Sequence, residues 1–319
     1  MNHTSPPHPV RPAWTIAQQS LRCLLQDRTV TLLALLFVVL VMLSAYLGWS
    51  ATQTINQIYD DAVGYFRAQG QPIPPNPVQE LSSLGLMRNL SIYVSLIGAL
   101  AAIVIGYELV ATDRKAAVLP LLGSRPLPPS DYALGKITAL LYATGLLSVV
   151  ASVIVLVTFL ALPQVNLSAT EWGKLFLFLG LAYGYLVLFG LLAMGIAAQA
   201  ESESVGLLLP VTLWLTLTFI FPSLTANIHP TAAINPISAL ALPPDSAFFH
   251  GTHALIGSLS LADDFKYLAA GLLDYRPAGV PAPGWVPPLP GLLLALGLVT
   301  GYTVSVLNAM NRSLGGRHA

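Results

Sequence analysis

Charge is what this sequence most lacks. Acidic and basic residues together make up 9% of its 319 residues, against about a quarter in an ordinary soluble domain, and that alone excludes the common globular class. The 14 Lys and Arg are balanced by 14 Asp and Glu, so no basic excess exists on which nucleic-acid binding could rest. Cysteine is nearly absent too. Cys23 is the only one, which rules out an internal disulfide and a cysteine-based zinc site, and it reads as a small apolar residue on a helix. Catalytic signatures are also missing. The pairs Gly135-Lys136 and Gly173-Lys174 are followed by Ile137 and Leu175 where a phosphate-binding loop needs Ser or Thr, and neither has the preceding glycine. There is no His-Glu-x-x-His and no Gly-x-Ser-x-Gly, so zinc-protease and serine-hydrolase chemistry have no support. No charge punctuates the middle of an apolar block, which removes the usual basis of ion-coupled carriage. No repeat relates the first three blocks to the last three, against an inverted-repeat carrier.

What the chain does have is long apolar blocks, with 55% hydrophobic residues overall. Val30–Trp49 holds no charge, and about twenty helical residues cover about 30 Å, the hydrocarbon thickness of a bilayer. That block exceeds a signal-peptide core and lacks a good cleavage context, so it reads as an uncleaved first span. Comparable blocks predict six spans, at about 30–50, 90–111, 137–162, 174–198, 206–226 and 290–310. The fold class is therefore an all-α membrane protein with six transmembrane helices. Residues 1–12, with four prolines, read as a flexible tail. Residues 13–28 place Trp14, Ala17, Leu21, Leu24 and Leu25 at helical spacing and predict an amphipathic interfacial helix, an ordinary cytosolic helix being the alternative. The transmembrane domain occupies 29–311 and a short C-terminal tail 312–319. Two long loops, 52–87 and 227–290, lie on the extracytoplasmic side. The first is expected to be a stiff Pro-rich connector, and the second a partly helical cap.

Orientation follows from Lys and Arg. With the N-terminus inside, the inner segments hold Arg11, Arg22, Arg28, Arg114, Lys115, Arg125, Lys136, Arg312 and Arg317. The longer outer segments hold Arg67, Arg88, Lys174, Lys266 and Arg276. Basic loops stay in the cytoplasm, so both termini are expected there. Within the spans, Gly180-x-x-x-Gly184 is the tightest candidate helix contact. Pro210 and Pro222 predict a kinked fifth span. Thr212, Thr216 and Thr218 there either face a path or bond back to their own helix.

The inner segment 112–136 concentrates the chemistry. Asp113, Arg114, Lys115, Arg125, Asp131 and Lys136 offer charged contacts, and Val118, Leu119, Leu121 and Leu122 an apolar plug, the combination a helix needs to seat in a partner's groove. Topology signalling and lipid headgroup contact are the plainer roles for these cations. Glu108, about one turn inside the membrane boundary, is either a coupling or gating residue or a side chain snorkelling to the interface. In the last outer loop His250 and His253, at i and i+3, form a candidate metal pair without a fixed third ligand; interfacial polar residues are the commoner case.

Leu121-Leu122-Gly123-Ser124-Arg125-Pro126, then Ser130-Asp131-Tyr132-Ala133-Leu134-Gly135-Lys136 entering a new span, resembles the cytoplasmic segment of ABC-2 type transporter permeases. Glu108 and Asp113 supply that family's acidic approach. Ala117-Val118 and Pro128-Pro129 depart from its usual Gly-Thr and Ser-Arg. The six-span layout, the amphipathic entry and the long last loop with Asn235-Pro236 also look like this family, including its members in nitrous-oxide-reductase maturation and in multidrug and bacteriocin export. The resemblance implies a permease subunit with no catalysis of its own and a cytoplasmic coupling helix within 112–136. A separate cytosolic ABC ATPase would carry the ATP and Mg. The permease would form a homodimer, or a heterodimer with a related permease, in the bacterial inner membrane, with lipid around it and no nucleic-acid partner. Two rivals remain open: a mechanotransmission or assembly subunit acting on an extracytoplasmic partner without moving a solute, and a membrane-embedded enzyme.

Overall fold

The computed structural model describes residues 12–73, 83–115, 128–161, 167–225, 251–252, 255–276 and 284–315. Among these the chain is helical, without a strand. Six helices are long and apolar enough to cross a membrane: Arg28–Ala68, Ser83–Arg114, Ser130–Ala161, Ala169–Gln199, Glu203–Leu224 and Pro288–Met310. They correspond in order to the six predicted spans and are numbered one to six below.

An entry helix, Pro12–Gln26, precedes them. Pro12 suits its first position, where the missing N–H costs nothing. Asp27 ends it and starts the next helix, since its carboxylate accepts from the Thr29 and Val30 amides at 2.8 and 3.0 Å. An N-cap of this kind fixes the corner between the two helices.

The first span differs from expectation at its far end. Its helix continues through Thr52–Ala68, which the hydropathy pattern assigns to a loop, and totals 41 residues. At 1.5 Å per residue this is about 60 Å, twice the hydrocarbon thickness. Loss of hydropathy after Ala51 does not stop a helix; a breaker does. The backbone turns only at Gly70, with φ of 63°, where the Gln69 amide closes on Tyr65 and Phe66 carbonyls.

Spans two and four form the centre. Of their most apolar stretches 78% and 56% lie inside the bundle, against 22–28% for the others. The remaining spans present leucines and valines outward, among them Leu35, Val39, Leu293 and Leu298. Exposed apolar area on that scale belongs in lipid. Span two is interrupted by a π-helical turn at Val94–Gly98. Span five has another at Thr216–Ile220, between Pro210 and Pro222. The Thr216 hydroxyl bonds back to the Thr212 carbonyl at 2.9 Å.

The expected Gly180–Gly184 contact does not form, since both glycines face open space. The close approach lies nearly two turns beyond Gly184 on the fourth helix, where a Cβ on Gly106 would run into the Gly190 carbonyl oxygen. Small residues permit contact only on a face that meets a neighbour, and Gly190 is buried whereas Gly180 is exposed.

The core has two parts. One, at the far end, gathers Phe37, Met87, Phe178, Phe189, Trp214 and Phe265. The other, around the entry helix, gathers Ala17, Leu24, Tyr107, Tyr132, Leu140, Met194 and Leu307. Of the predicted cap loop, the described part contains a helix, Leu261–Leu272. It is wedged into the far-end core, with Phe265 stacked on Tyr185 of span four at 4.4 Å between centroids. The Ser91 and Tyr275 hydroxyls bond at 2.9 Å, and Lys174 pairs with Asp274 at 2.7 Å, tying the helix exit to spans two and four.

Candidate functional site

The two helices that bracket segment 112–136 end side by side at the basic end of the bundle. Residues 116–127 between them lie outside the described residues, and with them Leu119, Leu122 and Arg125. Lys115 closes the helix Ala99–Lys115. His250 and His253 also lie outside. Among the described residues no group of three or more His, Cys, Asp or Glu is placed to hold a metal.

Asp113 leaves the last turn of span two and Lys136 enters span three, and the two side chains form an ion pair at 2.7 Å. Lys136 is 2% exposed, so the ammonium is desolvated and needs every partner it has. It finds a second in the entry helix, donating to Ser20 Oγ at 3.0 Å. Asp113 gains a charge-assisted bond from the Tyr132 hydroxyl, which donates to Oδ2 at 2.8 Å. The Lys136 ammonium also lies 5.6 Å from the Tyr132 ring centre. Gly135 lets the entry helix approach, since a Cβ there would sit 2.8 Å from the Ala13 carbonyl oxygen and the Ile16 Cβ. Trp14 meets Tyr142 edge-on, centroids 5.8 Å apart.

Arg114 turns the other way. Its Nη1 donates to the Ala200 carbonyl at 2.6 Å and its Nη2 to the Ala198 carbonyl at 2.7 Å. These carbonyls end the fourth-span helix, where the unsatisfied oxygens and the negative end of the helix dipole both favour a cation. Asp131 lies in the first turn of the third-span helix, half-exposed. Its acidic charge at a helix N-terminus is stabilising by itself.

Glu108 lines a small cavity of about 30 Å³ beside the ion pair, together with Gln19, Ser20, Thr112, Asp113 and Lys136. Cys23, Leu24 and Leu109 complete the lining, so the cavity wall is part polar and part apolar. Glu108 is thus turned toward the entry helix and the ion pair.

The side chains of Asp113, Arg114 and Lys136 in segment 112–136 are thus engaged within the chain itself. Lys136, expected as a contact offered to a partner, is buried against the entry helix, and Asp113 and Arg114 are occupied by neighbouring helices of the same chain. The reason is helical phase: one turn apart, Tyr132 and Lys136 share the face of span three that the entry helix covers. Ser20 and Tyr132 were missed. A signal for Ser20 exists, because it stands between Ala17 and Leu24 on the buried stripe of the entry helix, where a hydroxyl needs a partner.

The family model for ABC-2 family transporter proteins matches residues 14–305. The chain belongs to the ABC-2 transporter family. Among curated proteins none matches it. Its six apolar helices are thus those of an integral membrane permease subunit, the type that works with a separate ATP-binding subunit.

Proposed function

We propose that this ABC-2 permease couples ATP hydrolysis by a separate cytosolic ATPase to export or translocation across the bacterial cytoplasmic membrane. Segment 112–136 is the docking element in this reading. The observation that carries it is the construction of that segment's base. Both of its stems are held by buried or half-buried polar contacts to the entry helix and to the end of span four, so a push on the segment reaches three helices. ATP and Mg belong to the partner, and the permease acts as a homodimer or beside a related permease. The basic end faces the cytoplasm with both termini, by the Lys and Arg bias. Switching between inward and outward states requires only that the nucleotide-bound ATPase favour one of them.

A second reading is favoured by the length of the first helix. An arm of about 25 Å beyond the bilayer, continuous with the span over Arg28–Ala68, suits relay of movement to an extracytoplasmic partner with no solute carried.

The test is co-purification. Exchanging the charges at Arg125 and Asp131 together is expected to abolish recovery of the ATPase with the permease while helix content stays unchanged. Wild-type recovery would remove segment 112–136 from the docking surface.

A further inference from the structure

One ammonium joins three elements that the chain keeps apart. Lys136 of span three pairs with Asp113 of span two at 2.7 Å and donates to Ser20 of the entry helix at 3.0 Å. Tyr132 closes the group by donating to Asp113 at 2.8 Å. The two stems of segment 112–136 are thereby fastened to each other and to the entry helix. The entry helix passes through the Asp27 cap directly into the first span. With Lys136 at 2% exposed and Asp113 at 17%, separating the pair leaves an uncompensated buried charge, a costly state.

We infer that Asp113, Lys136 and Ser20 form an internal clamp: positioning residues that make both stems and the entry helix move as one body, and so pass displacement of the segment to the first span. The inference rests on the docking role of segment 112–136, but the clamp residues make no contact with the ATPase themselves. The arrangement also explains why the entry helix is placed where it is. A helix held only by the membrane interface needs no buried hydroxyl, no glycine opposite its backbone and no shared lysine.

Hydrogen–deuterium exchange on the full chain in liposomes tests the clamp without the ATPase. In Lys136→Met and in the milder Ser20→Ala, amides of Pro12–Gln26 are expected to exchange about tenfold faster than in wild type, because local opening no longer breaks the ion network. Lys136→Arg, and the exchange Asp113→Lys with Lys136→Asp, should recover most of the protection. In the exchanged pair the Ser20 hydroxyl donates to the new carboxylate and the Tyr132 oxygen accepts from the new ammonium. In the complex with the co-purifying ATP-binding subunit, ATP with vanadate should alter exchange in both segment 112–128 and the entry helix of wild type. In Lys136→Met the change should stay confined to the segment, with ATPase recovery unchanged. Wild-type protection in both Lys136→Met and Ser20→Ala would overturn the clamp. So would loss of ATPase recovery with the entry helix still protected, which would make Lys136 a docking contact. If no ATP-binding subunit co-purifies, the docking reading fails while the liposome experiment still decides the clamp.

Discussion

Gly106 and Gly190 set the distance between the two central helices, because any side chain at 106 would occupy the space of the Gly190 carbonyl. Gly190 is itself packed against Leu140 of span three, whose Cδ1 would lie 2.8 Å from an added Cβ. Overpacking such a site typically costs about 1–3 kcal/mol, since backbones must separate. Gly106→Ala is therefore expected to lower the melting temperature of the detergent-solubilised protein by several degrees. Gly184→Ala, facing open space, should leave it within error or raise it through helix propensity. Equal melting temperatures for the two variants would show that the spans tolerate repacking at their closest point. Both positions are glycines in apolar helices, and only the burial of their faces separates them.

At the scale of an element, the helix Leu261–Leu272 carries the most exposed liability in the far-end core. Asp264 on it is 1% exposed, and neither carboxylate oxygen has a hydrogen-bond partner among the described residues. Burial, with the charge of Asp263 beside it, pushes its pKa up to about 7. Gly291 of span six leaves the carboxylate its space, because a Cβ there would come within 3.2 Å of Oδ2. The folded protein thus holds this proton more tightly than the unfolded chain, whose carboxyl titrates near 3.8. Protonation stabilises the fold, fully so below about pH 4, and the contribution fades as pH rises toward about 7. Thermal melts across pH 5 to 8 should accordingly show the wild type losing stability with rising pH by a margin that Asp264→Asn removes. A pH profile unchanged by Asp264→Asn would mean that the carboxylate is solvated in the folded protein. Composition placed short helices in this loop, but no pattern in it reveals that one of them is inserted between spans four and six.

For the whole molecule, orientation is the property on which the docking assignment depends. In a Cys23→Ser background, a single cysteine at Gln71 is expected to react with a membrane-impermeant maleimide in intact cells. One at Ser124 or Ser313 should react only after permeabilisation. The Lys and Arg distribution, nine against five, sets this expectation. Labelling of the Ser124 site in intact cells would invert the protein and place the buried Asp113–Lys136 pair on the side without ATP.

Six apolar blocks, each long enough for a bilayer, were legible in the chain because crossing lipid demands about twenty apolar residues whatever the neighbours are. The position of segment 112–136 and its family likeness were legible for a similar reason: charge in a charge-poor chain is conspicuous. Helix ends were less legible. Hydropathy marks where lipid stops, whereas the first helix runs on to Ala68 until a turn residue breaks it. Which glycine meets which carbonyl, that Lys136 points inward and that Ser20 receives it depend on how the faces of separate helices are rotated against each other. That rotation is a sum of weak packing preferences spread over several spans, and only the assembled bundle resolves it.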